Sequence, residues 1–196
     1  STGSGKSTLV KLMNRFYDVS RGSIEINGVD IRKYDLESLR AQIGYVAQKA
    51  HMFKGSIRSN ICFGKPEASE EEMVHASSVA QASDFISKRE NGYLDEIAED
   101  GTNISGGQKQ RLSIARVILK KPSLYIYDDS FSALDFKTDA TLRKALKPEV
   151  KDAIFFVVAQ RISTIMDSDM IIVLDEGQII GLGTHLELLK NCSVYQ

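Results

Sequence analysis

The run Ser1-Thr2-Gly3-Ser4-Gly5-Lys6-Ser7-Thr8 constrains this 196-residue chain more than any other feature. It carries the end of G-x-x-x-x-G-K-[ST], a glycine-rich turn whose successive backbone N–H groups face phosphate oxygens. Lys6 adds positive charge for the outer phosphates, and the Ser7 hydroxyl suits a phosphate-bound Mg2+. The opening glycine is expected one position before Ser1 and a strand before that, so the chain starts inside the loop and the loop is expected to be weakly anchored. Leu9, Val10, Leu12 and Met13 continue as a helix whose positive end faces the anion. A flexible Ser/Gly tail shares the first five residues, but not a Lys-Ser-Thr that leads into an apolar helix.

Beyond the loop, the pattern is that of alternating strands and helices. Ser23 to Ile26 alternates with period two, and Asn27-Gly28 then turns the chain into Val29 and Ile31, predicting a half-exposed antiparallel hairpin. Leu36 to Arg40 reads as a short helix and Ile43 to Ala47 as a buried strand. Helices are predicted over Ser56 to Cys62 and Glu70 to Ala80, the second opened by a Ser69/Glu72 capping box that accounts for the acidic run Glu70-Glu71-Glu72. Leu124 to Tyr127, Ile154 to Val158 and Met170 to Leu174 read as strands of a parallel sheet flanked by helices. Gln178 to Ile180 is a further candidate strand, and Thr184 with Glu187 caps a last helix. The expected organisation is a core of residues 1–48 and 114–196, with a mostly helical insertion at 49–113 broken at Lys65-Pro66, Gly92 and Gly101. In such sheets ligands sit beyond the carboxyl ends of the strands, so site residues are expected just after strands.

Composition narrows the partners. With 25 Lys+Arg against 26 Asp+Glu, the chain lacks the basic excess of a nucleic-acid binder, and 42% hydrophobic residues argue against disorder. The longest apolar stretch, Ala153 to Ala159, is far shorter than the roughly 20 residues that cross a bilayer. Cys62 and Cys192 have no metal-type spacing and read as packing or surface thiols of a reducing compartment.

Two segments carry further chemistry. Leu124-Tyr125-Ile126-Tyr127-Asp128 is an apolar strand ending in an acid, the arrangement that holds a Mg2+ carboxylate, and Asp129 follows where a base meets the water attacking a terminal phosphate. In isolation Asp-Asp after a strand is as often a turn; the phosphate loop tips the balance towards function. Ile104-Ser105-Gly106-Gly107-Gln108 precedes a helix with apolar Leu112, Ile114, Ala115, Val117 and Ile118. Its two readings are a glycine turn capped by a Ser105/Gln108 box and a second anion site made by the Ser105 hydroxyl, two glycine amides and the helix dipole.

Taken together and in this order, these motifs resemble the nucleotide-binding domain of ATP-binding cassette (ABC) transporters over essentially the whole chain. The resemblance implies an α/β fold: a P-loop NTPase, RecA-like core with a mostly parallel sheet, a small antiparallel hairpin region and a helical subdomain. It makes Gly3 to Thr8 the Walker A end, with Ser1 and Thr2 also on the nucleotide, Gln48 the Q-loop glutamine beside the metal, Ile104 to Gln108 the signature, Asp128 the Walker B acid and Ser132 to Asp135 the D-loop. On its own Gln48 is an ordinary surface glutamine. Leu39 to Gln48, Phe53 to Ile61 and Gly183-Thr184-His185 resemble the exporter class. Glu96 to Gly101 falls where exporters touch their membrane domain, with Glu99-Asp100-Gly101 in place of the usual Glu-Arg-Gly.

The departures lie in the reacting groups. The family's catalytic glutamate is here Asp129, one methylene short, and its switch histidine is Gln160, within Ala159-Gln160-Arg161. Misplacing a reacting group by about 1 Å costs on the order of 10²-fold in rate, and losing a charge-stabilising donor costs on the order of 10²- to 10³-fold. Lys6, Ser7 and Asp128 are unchanged, so MgATP binding is expected to survive. ABC domains pair head to tail, each ATP lying between one chain's Walker motifs and its partner's signature. The resemblance therefore implies the degenerate-site half of a heterodimeric exporter, taking ATP and Mg2+, paired with a second nucleotide-binding domain and a membrane domain at the cytoplasmic face of a membrane. The alternatives are a nucleotide-gated dimerisation module without useful hydrolysis and a slow homodimeric ATPase.

Overall fold

In the computed structural model, which describes residues 3–196, Gly5 takes φ +94° and opens α1 (Lys6–Met13) without a side-chain cap. Only glycine adopts that backbone at no steric cost. Asn27 and Gly28, with φ of +53° and +75°, form the tight turn whose twist matches its strands, joining β1 (Glu25–Ile26) to β2 (Val29–Asp30). Ile31, expected to extend this hairpin, instead starts a 3-10 turn, Ile31–Lys33, because the Asp30 carboxylate accepts from the Arg32 N–H. α2 (Leu36–Ala41) and β3 (Ile43–Val46) follow, then β4 (Gly55–Ser56), α3 (Ile57–Ile61), α4 (Glu70–Val79), α5 (Ser83–Ile86) and β5 (Glu96–Ile97). After these come α6 (Gly106–Lys120), β6 (Leu124–Asp128), α7 (Phe136–Glu149), β7 (Ile154–Val158), α8 (Ile162–Ile165), β8 (Ile171–Asp175), β9 (Gln178–Gly183) and α9 (His185–Asn191). The three expected capping boxes, Ser69/Glu72, Ser105/Gln108 and Thr184/Glu187, are all made.

The chain divides into two compact units, Arg40–Phe156 and the residues up to Leu39 together with Val157–Gln196. One sheet runs in the order β3-β6-β7, with β3 parallel to β6 and Tyr45 opposite Ile126. Parallel neighbours need a long crossover, supplied here by the segment from α3 to α6. α6 packs against α3, α4 and β3, burying Leu112, Ile114, Ala115, Ile118 and Leu119. Burial of each larger aliphatic side chain contributes about 1.5–3 kcal/mol. The closest approach is at Gly44 of β3, where a Cβ would lie 2.5 Å from Val117 Cγ1 and 2.6 Å from Pro122 Cγ. The insertion also holds an antiparallel β4–β5 ladder that the helical expectation for 49–113 did not include. At two residues a strand, it is too short to leave an alternating pattern.

In the second unit, β8 pairs antiparallel with β9. This corrects the expectation that Met170 to Leu174 joins the parallel sheet: Glu176 and Gly177, with φ of +45° and +77°, turn the chain back at once. Ile171 of β8, Leu188 of α9, Cys192 and Tyr195 form this unit's buried cluster, with Ile165 and Val173 packed on it.

Candidate functional site

In the Arg40–Phe156 unit the candidate residues converge at the ends of two parallel strands. Asp128 closes β6 and is only 2% exposed, and its Oδ2 accepts a hydrogen bond of 3.0 Å from the Tyr45 hydroxyl. Burial, first, and the Asp128 charge beside it push the Tyr45 hydroxyl well above its ordinary pKa, so it remains a donor. Asp129 takes φ +49°, a left-handed backbone that aspartate tolerates better than most residues. The turn aims its carboxylate at Gln48, whose Nε2 donates to Asp129 Oδ2 at 3.2 Å. Gln48, Asp128 and Asp129 thus form one local constellation, although Gln48 and Asp129 are 81 positions apart.

Three residues that the motif reading passed over hold this constellation. The buried Ser130 hydroxyl donates to the Val46 carbonyl at 2.9 Å. Gln110, 1% exposed on α6, donates to the Ala47 carbonyl at 3.1 Å and so ties the signature helix to the strand end that presents Gln48. Tyr45 is the third. A polar residue on a helix's apolar face was the available signal for Gln110; Ser130 and Tyr45 left none.

At the signature, Ser105 Oγ accepts from the Gln108 N–H at 3.2 Å, and Gln108 Oε1 accepts from the Ser105 N–H at 3.0 Å. The Gly106 and Gly107 N–H groups lie in the first turn of α6, where a helix supplies no internal acceptor. The capping reading is therefore realised, and the anion reading is left compatible with it. A Cβ on Gly107 would come within 3.4 Å of the Ala133 carbonyl oxygen, so the signature turn and the Ser132 to Asp135 segment lie against each other. Asp135 itself caps α7, accepting from the Thr138 N–H at 2.9 Å and the Thr138 hydroxyl at 2.7 Å. Those bonds, the backbone one first, hold its carboxyl below the usual range. Before the signature, Asn103 staples the loop by accepting from Ala98 N–H and donating to the Glu96 carbonyl, while Lys109 Nζ donates to the Asp100 carbonyl at 2.7 Å. Asp100, with φ +54°, thus contributes its backbone to the signature helix.

In the other unit, Lys6 and Ser7 open α1, and Thr8 is exposed on its first turn. Lys6 Nζ donates to Ser4 Oγ at 2.6 Å. Ser4 is buried, and its carbonyl accepts from the Gly177 N–H at 3.2 Å, so the β8–β9 turn anchors the loop more firmly than the sequence suggested. Gly3 is exposed, and Ser1 and Thr2, also expected on the nucleotide, lie outside the described residues. Gln160 is exposed between β7 and α8.

A phosphate loop opening a helix and a buried acid closing a parallel strand define a P-loop NTPase of α/β class. The profile of the ABC transporter family matches residues 1–132, and this chain belongs to that family. It is 48% identical over its whole length to the "Putative multidrug export ATP-binding/permease protein YgaD" of Bacillus subtilis, covering 34% of that protein. It is 44% identical to heavy metal tolerance factor 1 of Caenorhabditis elegans, covering 24% of it. The solved structure of a bacterial Atm1-family ABC exporter with ATP bound superposes with a TM-score of 0.96 at 39% identity, over all of this chain and 34% of that one. The chain spans about a third of the length of the first of these relatives. Among the described residues no helix is long and apolar enough to cross a membrane.

Proposed function

We propose that this chain is the ATP-binding domain of an ABC exporter and that its own Walker site hydrolyses ATP weakly, as the degenerate half of a heterodimer. The exporter names of its relatives and the likeness to an ATP-bound exporter support the first part. The observation that carries the second is Asp129, whose shortened carboxylate is drawn onto Gln48. Gln160, in the place of the switch histidine, offers no imidazole.

The residues present fit MgATP. Gly5 has the left-handed backbone that turns the loop into α1, and Lys6 and Ser7 stand at that helix's positive end. Among the described residues there is no cluster of three or more metal-ligating side chains. Asp128, a buried carboxylate at the end of β6, is a donor of the kind Mg2+ takes when phosphate oxygens and water complete most of its shell. Asp128 would hold the metal, whose positive charge would offset negative charge developing on the outer phosphates. Lys6 would hold the outer phosphates, and Gln48 and Asp129 would orient water. Ser105 to Gln108, with Asp135 near by, would complete a partner's site, where a partner's own Walker residues do the chemistry. ATP retained at the weak site would favour the closed pair by binding it better than the open one. In this reading residues 49–113 are the helical subdomain and residues 1–48 with 114–196 the RecA-like core, at the cytoplasmic face of a membrane beside a membrane domain.

The test is MgATP hydrolysis by the full-length protein, native against Asp129→Glu with Gln160→His. The double change should raise turnover at this site by on the order of 10²-fold. A native protein that already matches the double variant would favour two equivalent, competent sites.

A further inference from the structure

Tyr45 on β3 stands opposite Ile126 in the parallel ladder, and Asp128 lies two residues further along β6. Residues two apart share a strand face and are separated by about 6.6 Å, a span that a phenol ring covers. The ring therefore runs diagonally across the two strands and brings its hydroxyl to 3.0 Å from Asp128 Oδ2. A carboxylate that is 2% exposed is costly unless hydrogen-bonded, and a hydroxyl that meets it also limits which way it faces. Both strands are held rigidly here: Gly44 lets α6 press onto β3, and the Ser130 hydroxyl ties the end of β6 back to Val46.

We propose that Tyr45 is a positioning residue for the divalent cation: its hydroxyl orients the Asp128 carboxylate and so tightens Mg2+ at the nucleotide site. This rests on the reading of Asp128 as the Mg2+ acid. The partner that orients a metal-ligating carboxylate typically carries 10- to 100-fold in metal affinity when removed, roughly the scale at stake here. The site thereby depends on a side chain from the strand preceding Gln48, which links metal affinity to the position of that strand.

The experiment uses the full-length protein with a non-hydrolysable ATP analogue and Mn2+ as a paramagnetic substitute for Mg2+, read by electron paramagnetic resonance. Tyr45→Phe keeps the ring and removes one oxygen. It should weaken Mn2+ binding by about ten-fold or more while leaving metal-free affinity for the analogue unchanged. Asp128→Asn should weaken Mn2+ binding at least as much, and Tyr45→Phe added to it should do nothing further. Unchanged or tighter Mn2+ binding in Tyr45→Phe overturns the proposal. So does an equal loss of metal-free nucleotide affinity, which would make Tyr45 merely structural, or an undiminished effect in the Asp128→Asn background. If Asp128→Asn alone binds Mn2+ as the native protein does, the metal assignment of Asp128 falls and the role of Tyr45 with it.

Discussion

The two units hold their candidate residues by different means. In Arg40–Phe156, Asp128 and Asp129 are fixed by side chains reaching across the sheet from Tyr45, Gln48 and Ser130, backed by a large core in which α6 lies on β3. In the other unit the phosphate loop is fixed mainly through its backbone, by the left-handed Gly5 and the Gly177 N–H on the Ser4 carbonyl, over the small cluster of Ile171, Leu188, Cys192 and Tyr195. A carboxylate for a metal needs a defined orientation, which side-chain donors set. A phosphate cradle needs N–H groups pointing one way, which only backbone conformation sets. Substitutions should therefore injure the two units in different ways.

The largest effect is expected at Gly44→Ala, where the added methyl meets Val117 and Pro122 at about 2.5 Å. It should cost about 1–3 kcal/mol or more and lower the thermal midpoint by several degrees, as calorimetry would register. In the backbone-held unit, Gly5→Ala forces a side chain into φ +94° at a cost of about 1–2 kcal/mol. Relaxing the loop away from that backbone would leave the thermal midpoint without nucleotide little changed, and restoring it on binding would weaken nucleotide affinity roughly ten-fold in a titration. Gly177→Pro, which removes the N–H bonded to Ser4 and cannot adopt φ +77°, should weaken nucleotide binding too, but should also lower the thermal midpoint by breaking the β8–β9 turn. Equal effects of the Gly44 and Gly5 substitutions on both readouts would erase the contrast.

Smaller effects sharpen it. Ser105→Ala removes the cap of α6 and should cost about 1 kcal/mol, seen as faster hydrogen exchange over the first turn. Tyr127→Phe should be stabilising by about 1 kcal/mol, because the Tyr127 hydroxyl is fully buried without a hydrogen-bond partner among the described residues. The smallest effect is acidic. The Glu72 carboxyl lies below the ordinary glutamate range through its bond from Lys65 and then the Ser69 N–H, and Glu187 does so through the Thr184 N–H and hydroxyl. A lowered folded-state value means a stabilisation present above the unfolded value and lost as pH falls through the folded one. The first turns of α4 and α9 should therefore fray in mild acid, as amide exchange would show.

Much of this was legible because its causes are local. The Asn27-Gly28 turn, the three capping boxes and the strand ending in Asp128 are each written within a few consecutive residues. The missed features are of two kinds. The β8–β9 hairpin turns on Glu176-Gly177, a weaker signal than Asn-Gly, and its strands follow the same apolar pattern as buried parallel ones. The supports of the site join residues 83 positions apart at Tyr45 and Asp128 and 63 apart at Gln110 and Ala47, and no local pattern announces such pairs. Asp129 and Gln160 stand out only against the family's usual residues, which is why they bear on mechanism and not on fold.

The central claim is that this chain's own Walker site binds ATP and seldom cleaves it. The most direct measurement is to cross-link a photoreactive ATP analogue, labelled on its α-phosphate, to this chain within the full-length protein during turnover, and to identify the nucleotide attached. The account predicts the uncleaved triphosphate. Diphosphate accumulating on this chain at the rate of overall turnover would contradict it.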